Sequence, residues 1–359
     1  MKKILITAIT ALFIYHSYSQ GCVAIRNISG FGQFAQLGYG QSADKWALDI
    51  NNRYFQAFEV YSGKERQPND GVHLYEYTMN FELTRVLDNG WSIALDMPIA
   101  ANSVTSTLEH QSGVQHTTSA YGLGDMRFTV YKWLFNNNKM QRGNIQVGLG
   151  IKFPTGDYKF EDYFYYDPAN PSAKMLSPVN VAIQPGDGGT GITTELNGYY
   201  IVNRKLSLYG NFFYLINPRD QNGTYSLFPN APANFIALAT ATGTDVNSVP
   251  DAYTLRAGAD YTVDRLVVAL GLRYEGVPSH DLIGKSDGLR RVGHIFSVEP
   301  GLQYKLKKSF FYSFVTIPVA RATVKAPTDA QASQITGTDF TTPGHFANYV
   351  LFLGYTFTF

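Results

Sequence analysis

The sequence predicts an all-β fold: a transmembrane antiparallel up-and-down β-barrel of about twelve strands, with short periplasmic turns and long extracellular loops. Three observations predict it. Apolar and polar residues alternate with period two in segment after segment, placing successive side chains on opposite faces of a strand. Short polar turns alternate with long connections along the chain. After the amino-terminal segment no apolar run reaches about 18 residues, which excludes helical membrane spans.

The chain begins MKKILITAITALFIYHSYSQ. Two lysines, an apolar run from Ile4 to Tyr15 and small or polar residues around Ser17 and Ser19 have the layout of a secretory signal, too short to span a bilayer. Residues 1–19 are therefore read as a signal peptide, with cleavage expected near Ser19–Gln20. Cys22 is the single cysteine, which excludes an internal disulfide framework and a cysteine-based metal cluster. Gly21 before Cys22 also admits a lipoprotein, against which stands Ser19 where a lipobox usually has Leu. Residues 20–44 form an amino-terminal segment ahead of the barrel. Its stretch VAIRNISGFGQFAQLGYGQ mixes glycine with Phe31, Phe34 and Tyr39. It would fold into the lumen as a plug, or serve as a short periplasmic tail or a piece of the first strand.

Residues 45–359 are assigned to the barrel. The strands are expected at 45–61, 72–87, 91–101, 123–136, 143–154, 190–202, 206–217, 252–263, 266–277, 293–306, 309–321 and 345–359. Turns at Asp88–Gly90, Asn136–Arg142, Asn203–Lys205, Asp264–Arg265 and Lys307–Lys308 are short and hairpin-like. Long connections fall at 62–71, 102–122, 155–189, 218–251, 278–292 and 322–344. Short turns on one rim, long loops on the other and both termini on the turn side match an outer-membrane barrel.

The faces have a fixed chemistry. In LVVALGLRYE, Leu266, Val268, Leu270, Leu272 and Tyr274 oppose Val267, Ala269, Gly271, Arg273 and Glu275. Reversing such a strand would put Arg256 or Arg273 into lipid, at about 2–4 kcal/mol each near the midplane, so the register is well specified. The closing stretch YVLFLGYTFTF presents Tyr349, Leu351, Leu353, Tyr355, Phe357 and Phe359 on one face. Ten steps at about 3.3 Å, tilted by about 40°, rise roughly 25 Å, the height of the apolar band. Pro98, Pro154, Pro218, Pro278 and Pro318 lie toward the loop end of outgoing strands, where pairing loosens. Pro300 falls inside a strand, and a bulge is expected there.

Three blocks, YGLGDMRFTVYKWL (121–134), IQVGLGIKFPTGDY (145–158) and IQPGDGGTGITTELNGYY (183–200), carry a resemblance. They resemble a group of outer-membrane channels catalogued as transporters and named for an association with meta-pathway phenol degradation. The resemblance implies an outer-membrane barrel of transport function, with apolar or aromatic solutes favoured. Thr190–Gly191–Ile192 departs from the more polar continuation expected there. The closing aromatic also resembles the terminal signal read by the barrel-insertion machinery.

Charges on the inward face are the main candidate site: Asp49, Arg53, Glu76, Glu82, Asp96, Asp125, Arg127, Lys152, Glu195, Arg256, Asp260, Arg273, Glu275 and Glu299. Ionised groups inside a barrel need water or a partner. They would line a path and set its selectivity, or pair across the wall and brace a closed interior. Both signs occur in similar numbers, so no strong single-ion selectivity follows. About twelve strands lie between filled eight-stranded barrels and open channels of sixteen or more, which favours a narrow or obstructed pore.

Loop 155–189 holds Glu161, Asp162 and Asp167 among Tyr158, Phe160, Tyr163, Phe164, Tyr165 and Tyr166. These carboxylates could bind calcium, but they match no calcium-loop pattern, and packing of the loop onto its neighbours is the simpler expectation. No metal site and no cofactor are expected. A barrel-wall hydrolase would need Ser, His and an orienting group in reach, yet His294 and Ser297 fall on opposite faces. Asn222–Gly223–Thr224 matches a glycosylation sequon by accident. A net charge of +1 gives no argument for nucleic acid. The expected activity is passive uptake of small solutes across the outer membrane of a Gram-negative-type envelope, with outer-membrane lipid, the insertion machinery and a small-molecule solute as partners. The alternative is a non-conducting barrel whose long loops bind a partner or surface ligand.

Overall fold

A computed structural model of the protein describes residues 45–359 apart from 70, 108, 111–112 and 136–141. The expected signal peptide, Cys22 and the plug residues Phe31, Phe34 and Tyr39 lie outside the described residues.

Period-two alternation folds into one antiparallel sheet closed on itself. Its strands are β1 (Trp46–Ser62), the short β2 (Glu65–Gln67), β3 (His73–Val86), β4 (Trp91–Ser106), β5 (His116–Leu123), β6 (Arg127–Trp133) and β7 (Gly143–Lys152). A separate hairpin of β8 (Glu161–Tyr165) and β9 (Lys174–Pro178) follows, then β10 (Gly191–Ile201) and β11 (Leu206–Ile216). A second small ladder joins β12 (Gln221–Tyr225) to β13 (Val246–Ser248). The wall resumes with β14 (Ala252–Val263), β15 (Leu266–Val277), β16 (Gly293–Lys305), β17 (Ser309–Thr323) and β18 (Gly344–Thr358). β5 and β6 share one position beside β4, so the closed wall has 12 strand positions, as expected. Trp46 and Phe359 exchange backbone hydrogen bonds of 3.0 Å at the seam.

The predicted sidedness holds strand by strand. Leu149 and Leu270 on the outer face are each 60 % exposed, whereas inward Gln146 and Arg273 are 2 % and 1 % exposed. A closed wall has no free sheet edge, and its outer face is a mainly apolar band, with Asn52 and Gln56 of β1 among its polar members. Exposed aromatics flank that band: Trp91, Tyr261, Tyr304, Phe311, Phe357 and Phe359 toward the turns, and Tyr75, Phe153, Phe296 and Tyr349 toward the loops. The turns are as tight as their chemistry allows. Asp264, alone with Arg265 between β14 and β15, takes a left-handed φ of 52°, a conformation Asp tolerates in two-residue hairpins.

Three departures have physical causes. First, the fourth strand is not one unit over 123–136: residues 124–126 interrupt it, and the register against β4 shifts by one between Leu123↔Ile99 and Arg127↔Asp96. Beyond this break β4 and β5 extend above the apolar band. Their outward residues there, Ser103, Thr105, Thr117 and Ser119, are polar, so the stretch lacks lipid-type alternation and is read as loop from sequence. Second, Pro300 carries no bulge. The β16–β17 ladder skips the positions at Glu299 and Pro300 without changing register, because proline has no N–H to give. The shift lies between Phe296 and Ser297, opposite Val319 beside Pro318. Third, β1 is bulged between Gln56 and Glu59 where it meets β18, so Glu59 turns outward to Arg321 at 3.3 Å.

Candidate functional site

The inward charges gather into three groups on the wall. Arg127 reaches Glu195 across the glycine face of β7, lies 3.3 Å from Asp96 and 3.9 Å from Glu82, and places its guanidinium over the Phe213 ring. Asn80 donates to Asp96 at 3.1 Å and the Tyr131 hydroxyl donates to Glu195 at 3.1 Å. On the far half of the wall Arg256 and Arg273 stand directly opposite one another and share Glu299. Like charges so placed are tolerable only with the carboxylate between them. Arg273 also donates to Glu275 at 2.7 Å, and Thr316 donates to Glu299 at 3.0 Å. Near the seam Arg53 pairs with Glu76 at 3.1 Å, and the Tyr312 hydroxyl donates to Asp49 at 2.8 Å. Asp260 is half-buried toward the turn end of β14. All of these ion pairs tie residues of one strand or of strands at most two positions apart in the wall.

Asp125 and Lys152 are placed differently from the other candidates. Asp125 sits in the break between β5 and β6, where its carboxylate accepts the backbone N–H groups of Gly156 and Asp187, each at 3.0 Å. Lys152, ending β7, pairs with Asp187 and lies 3.6 Å from Asp125. Together they clasp both ends of the loop between β7 and β10. Gly156 meets Gly186 so closely that a Cβ on Gly156 would stand 2.7 Å from the Gly186 Cα. The loop then turns inward over the barrel mouth: Ile183 and Gln184 are fully buried, and Asn102 of the inner wall donates to the Ile183 carbonyl at 3.1 Å.

Sequence reading missed the glycines that carry the inner aromatics. Tyr131 faces Gly148, Phe314 faces Gly301 and Tyr312 faces Gly354 in register, and each ring lies over its glycine. The signal was present in the alternation, since glycine recurs at inward positions of β7, β15, β16 and β18. Which ring would fill each gap depends on the strand pairing.

Above the mouth the loops form a layer of their own. The long connections before β14 and before β18 each carry a helix, Ala233–Thr242 and Pro327–Thr336. Neither was expected from alternation, but proline at the first turn of 327–336 and a glycine after each helix are start and stop signals. Asp329 accepts the Ala326 N–H at 3.0 Å and the Thr342 N–H at 3.2 Å, fixing its helix to the following loop, and burial raises its carboxyl above the usual range. The carboxylates of the 158–167 stretch do not converge: Asp162 accepts the Ser119 N–H at 2.8 Å, Asp167 the Ala169 N–H at 2.8 Å. The aromatics pack instead, Phe164 on His110 with centroids 5.4 Å apart and Tyr165 on His116 at 3.8 Å. Burial, then the neighbouring His116, hold His110 down to about 4. Its Nδ1 accepts the Tyr165 N–H at 3.2 Å. Between the two helices and the inward-folded loop lies a cavity of ≈ 680 Å³ with mostly apolar walls. His294 and Ser297 lie on opposite faces of β16, as the alternation requires.

No protein-family profile and no curated protein sequence matches the chain. Among solved structures it is similar to an outer membrane channel from Pseudomonas putida F1, with a TM-score of 0.60, 11% sequence identity, and coverage of 89% of this chain and 97% of that one. At that identity the likeness shows the fold: a closed antiparallel barrel like that of an outer-membrane channel. Two monoaromatic hydrocarbon channels also align: a TodX deletion mutant with a TM-score of 0.46, 9% identity and coverage of 96% of both chains, and CymD with 0.42, 10% identity and coverage of 93% of this chain and 94% of that one. Of the sequence resemblance to outer-membrane channels associated with phenol degradation, the channel fold is what stands.

Proposed function

We propose that the protein is an outer-membrane channel for passive movement of small solutes. The observation that carries this reading is the direction of the inner ion pairs. They run along the wall, each tying near neighbours, instead of strutting across the axis. Charges so arranged stay paired and buried along the inner wall with both signs represented, and a path opening beside them would favour neutral solutes over either ion. The apolar outer band with its two aromatic girdles supports residence in a bilayer, and a barrel of this kind implies outer-membrane lipid and the insertion machinery as partners. The inward loop held by Asp125 and Lys152 narrows the mouth. Apolar or aromatic cargo is supported by the sequence resemblance and by the apolar walls of the loop cavity.

The test is conductance of the purified full chain in planar bilayers, together with swelling of loaded liposomes. Discrete reproducible steps and swelling by small neutral solutes are expected. A silent bilayer with no swelling would overturn the channel and leave a barrel that acts through its loops.

A further inference from the structure

Exposed charge is distributed unequally between the two rims of the barrel. On the turn rim Arg204 and Lys205 stand between β10 and β11, Arg265 between β14 and β15, and Lys307 and Lys308 between β16 and β17. Lys45 precedes β1, Arg85 lies at the end of β3 and Arg142 precedes β7, and each of these basic residues is exposed. Against them, among the described exposed residues of this rim, stand Asp88 and Asp264. The loop rim is mixed instead: Lys64 and Arg66 flank Glu65, Asp287 follows Lys285, and Lys325 pairs with Asp339.

The same rim carries all three tryptophans of the chain, Trp46 and Trp91 on the outer face and Trp133 inward and buried. Trp46 is the cross-strand partner of Arg85, and Trp91 that of Lys132. The Arg85 guanidinium lies 5.0 Å from the centroid of the Trp46 ring, and Lys132 Nζ lies 4.8 Å from that of Trp91. Tryptophan, arginine, tryptophan and lysine therefore follow one another around the outer wall on four adjacent strands, β1, β3, β4 and β6. Tryptophan settles at the level of lipid headgroups, its ring in the apolar layer and its N–H wet. A cation held against such a ring is held at the same depth, within reach of headgroup phosphates.

We propose that the turn rim is a collar that gathers anionic phospholipid headgroups from the leaflet it meets, with Arg85 and Lys132 on the outer wall reaching their phosphates. This rests on the barrel's residence in a bilayer and does not require conduction. A soluble acidic partner would meet charge directed along the barrel axis. Arg85 and Lys132 instead project sideways, from strand positions on the face that carries the apolar band. Guanidinium and ammonium groups meet phosphate both as charges and as hydrogen-bond donors. Each basic residue close to an anionic membrane surface strengthens association roughly fivefold.

The two outward tryptophans make the test, because they report on the lipids beside them. The full chain is reconstituted in phosphatidylcholine vesicles to which either phosphatidylglycerol or phosphatidylcholine with brominated acyl chains is added, and quenching of tryptophan emission is compared at equal mole fractions. Buried Trp133 supplies a constant background. Brominated phosphatidylglycerol is expected to reach the same quenching at a roughly fivefold lower mole fraction. That preference should shrink toward none in about 1 M salt, where the Debye length is about 3 Å. Arg85→Gln combined with Lys132→Gln is expected to lose most of it, whereas Lys64→Gln combined with Arg66→Gln on the loop rim keeps it. Equal quenching by the two lipids, or a preference that survives Arg85→Gln with Lys132→Gln, overturns the collar. Quenching by neither lipid would mean that Trp46 and Trp91 do not face hydrocarbon, which removes the bilayer reading together with the collar. The full pattern in a protein that conducts nothing supports the collar while removing the channel.

Discussion

Tyr131 lies across Gly148, its cross-strand partner, and a Cβ at position 148 would stand 2.6 Å from Tyr131 Cε1. The same ring delivers its hydroxyl to Glu195 at 3.1 Å, so one glycine positions a wall aromatic and, through it, the charge group around Arg127. Gly148→Val is expected to displace the ring and destabilise the barrel by about 1–3 kcal/mol, the usual effect of overpacking. A urea titration of the reconstituted protein, followed by tryptophan emission, measures it. An unchanged midpoint would mean that the ring has another place to lie.

Arg127 faces three carboxylates, Glu82, Asp96 and Glu195, on a wall where all four side chains are buried. Removing one partner of a buried ionic group leaves the others uncompensated, at about 3–5 kcal/mol. Arg127→Met should therefore lower the urea midpoint strongly. The double variant Arg127→Met with Glu195→Gln should recover part of the loss, which a purely steric effect would not do.

Leu149 sits on the outer face of β7, while Tyr304 stands near the turn end of β16. If lipid covers the band, Leu149→Arg destabilises by about 2–4 kcal/mol and Tyr304→Arg by only about 0–1 kcal/mol. The difference between the two midpoints in the same vesicles is the measurement. Equal effects would sink the reading that hydrocarbon covers this face.

Asp125 accepts two backbone N–H groups, one from each end of the inward loop. Asp125→Ala is expected to release residues 179–187 from the mouth and to raise single-channel conductance or its fluctuation, with little change in barrel stability because the clasp stands above the wall. Conductance identical to the parent would show that the loop does not limit passage.

The loop layer should respond to acid through His110. Its folded-state value of about 4 lies below the ordinary 6.5, so between these values the unfolded loop takes up a proton that the folded loop refuses. The contribution is fully present above about pH 6.5 and is lost as pH falls toward 4. His116 and Asp162 face the same ring. Burial raises Glu109 and Asp329, which act with the opposite sign, so the difference between the parent and His110→Asn isolates the histidine. Asn keeps an acceptor for the Tyr165 N–H. Cleavage in the loops by an acid-tolerant protease should quicken as pH drops from 7 to about 4.5 in the parent and less so in the variant.

Strand number, sidedness and the alternation of turns and loops were legible because they are local: a period of two over ten residues needs no partner to be read. Leu270 outward and Arg273 inward follow from their spacing alone. The inward charges were legible for the same reason, although their groupings were not. Asp125 shows where parity stops being informative, since a three-residue break moves it from wall to loop clasp.

By itself, then, the sequence determined which face of each ribbon is greasy and roughly where each ribbon turns, because alternation acts within a strand. Only the tertiary structure decided that Arg127 meets Glu195, that Tyr312 rests on Gly354, that Ile183 folds over the mouth and that two loop helices enclose a cavity. Those relations join residues tens of positions apart, and closure of the wall sets their distance.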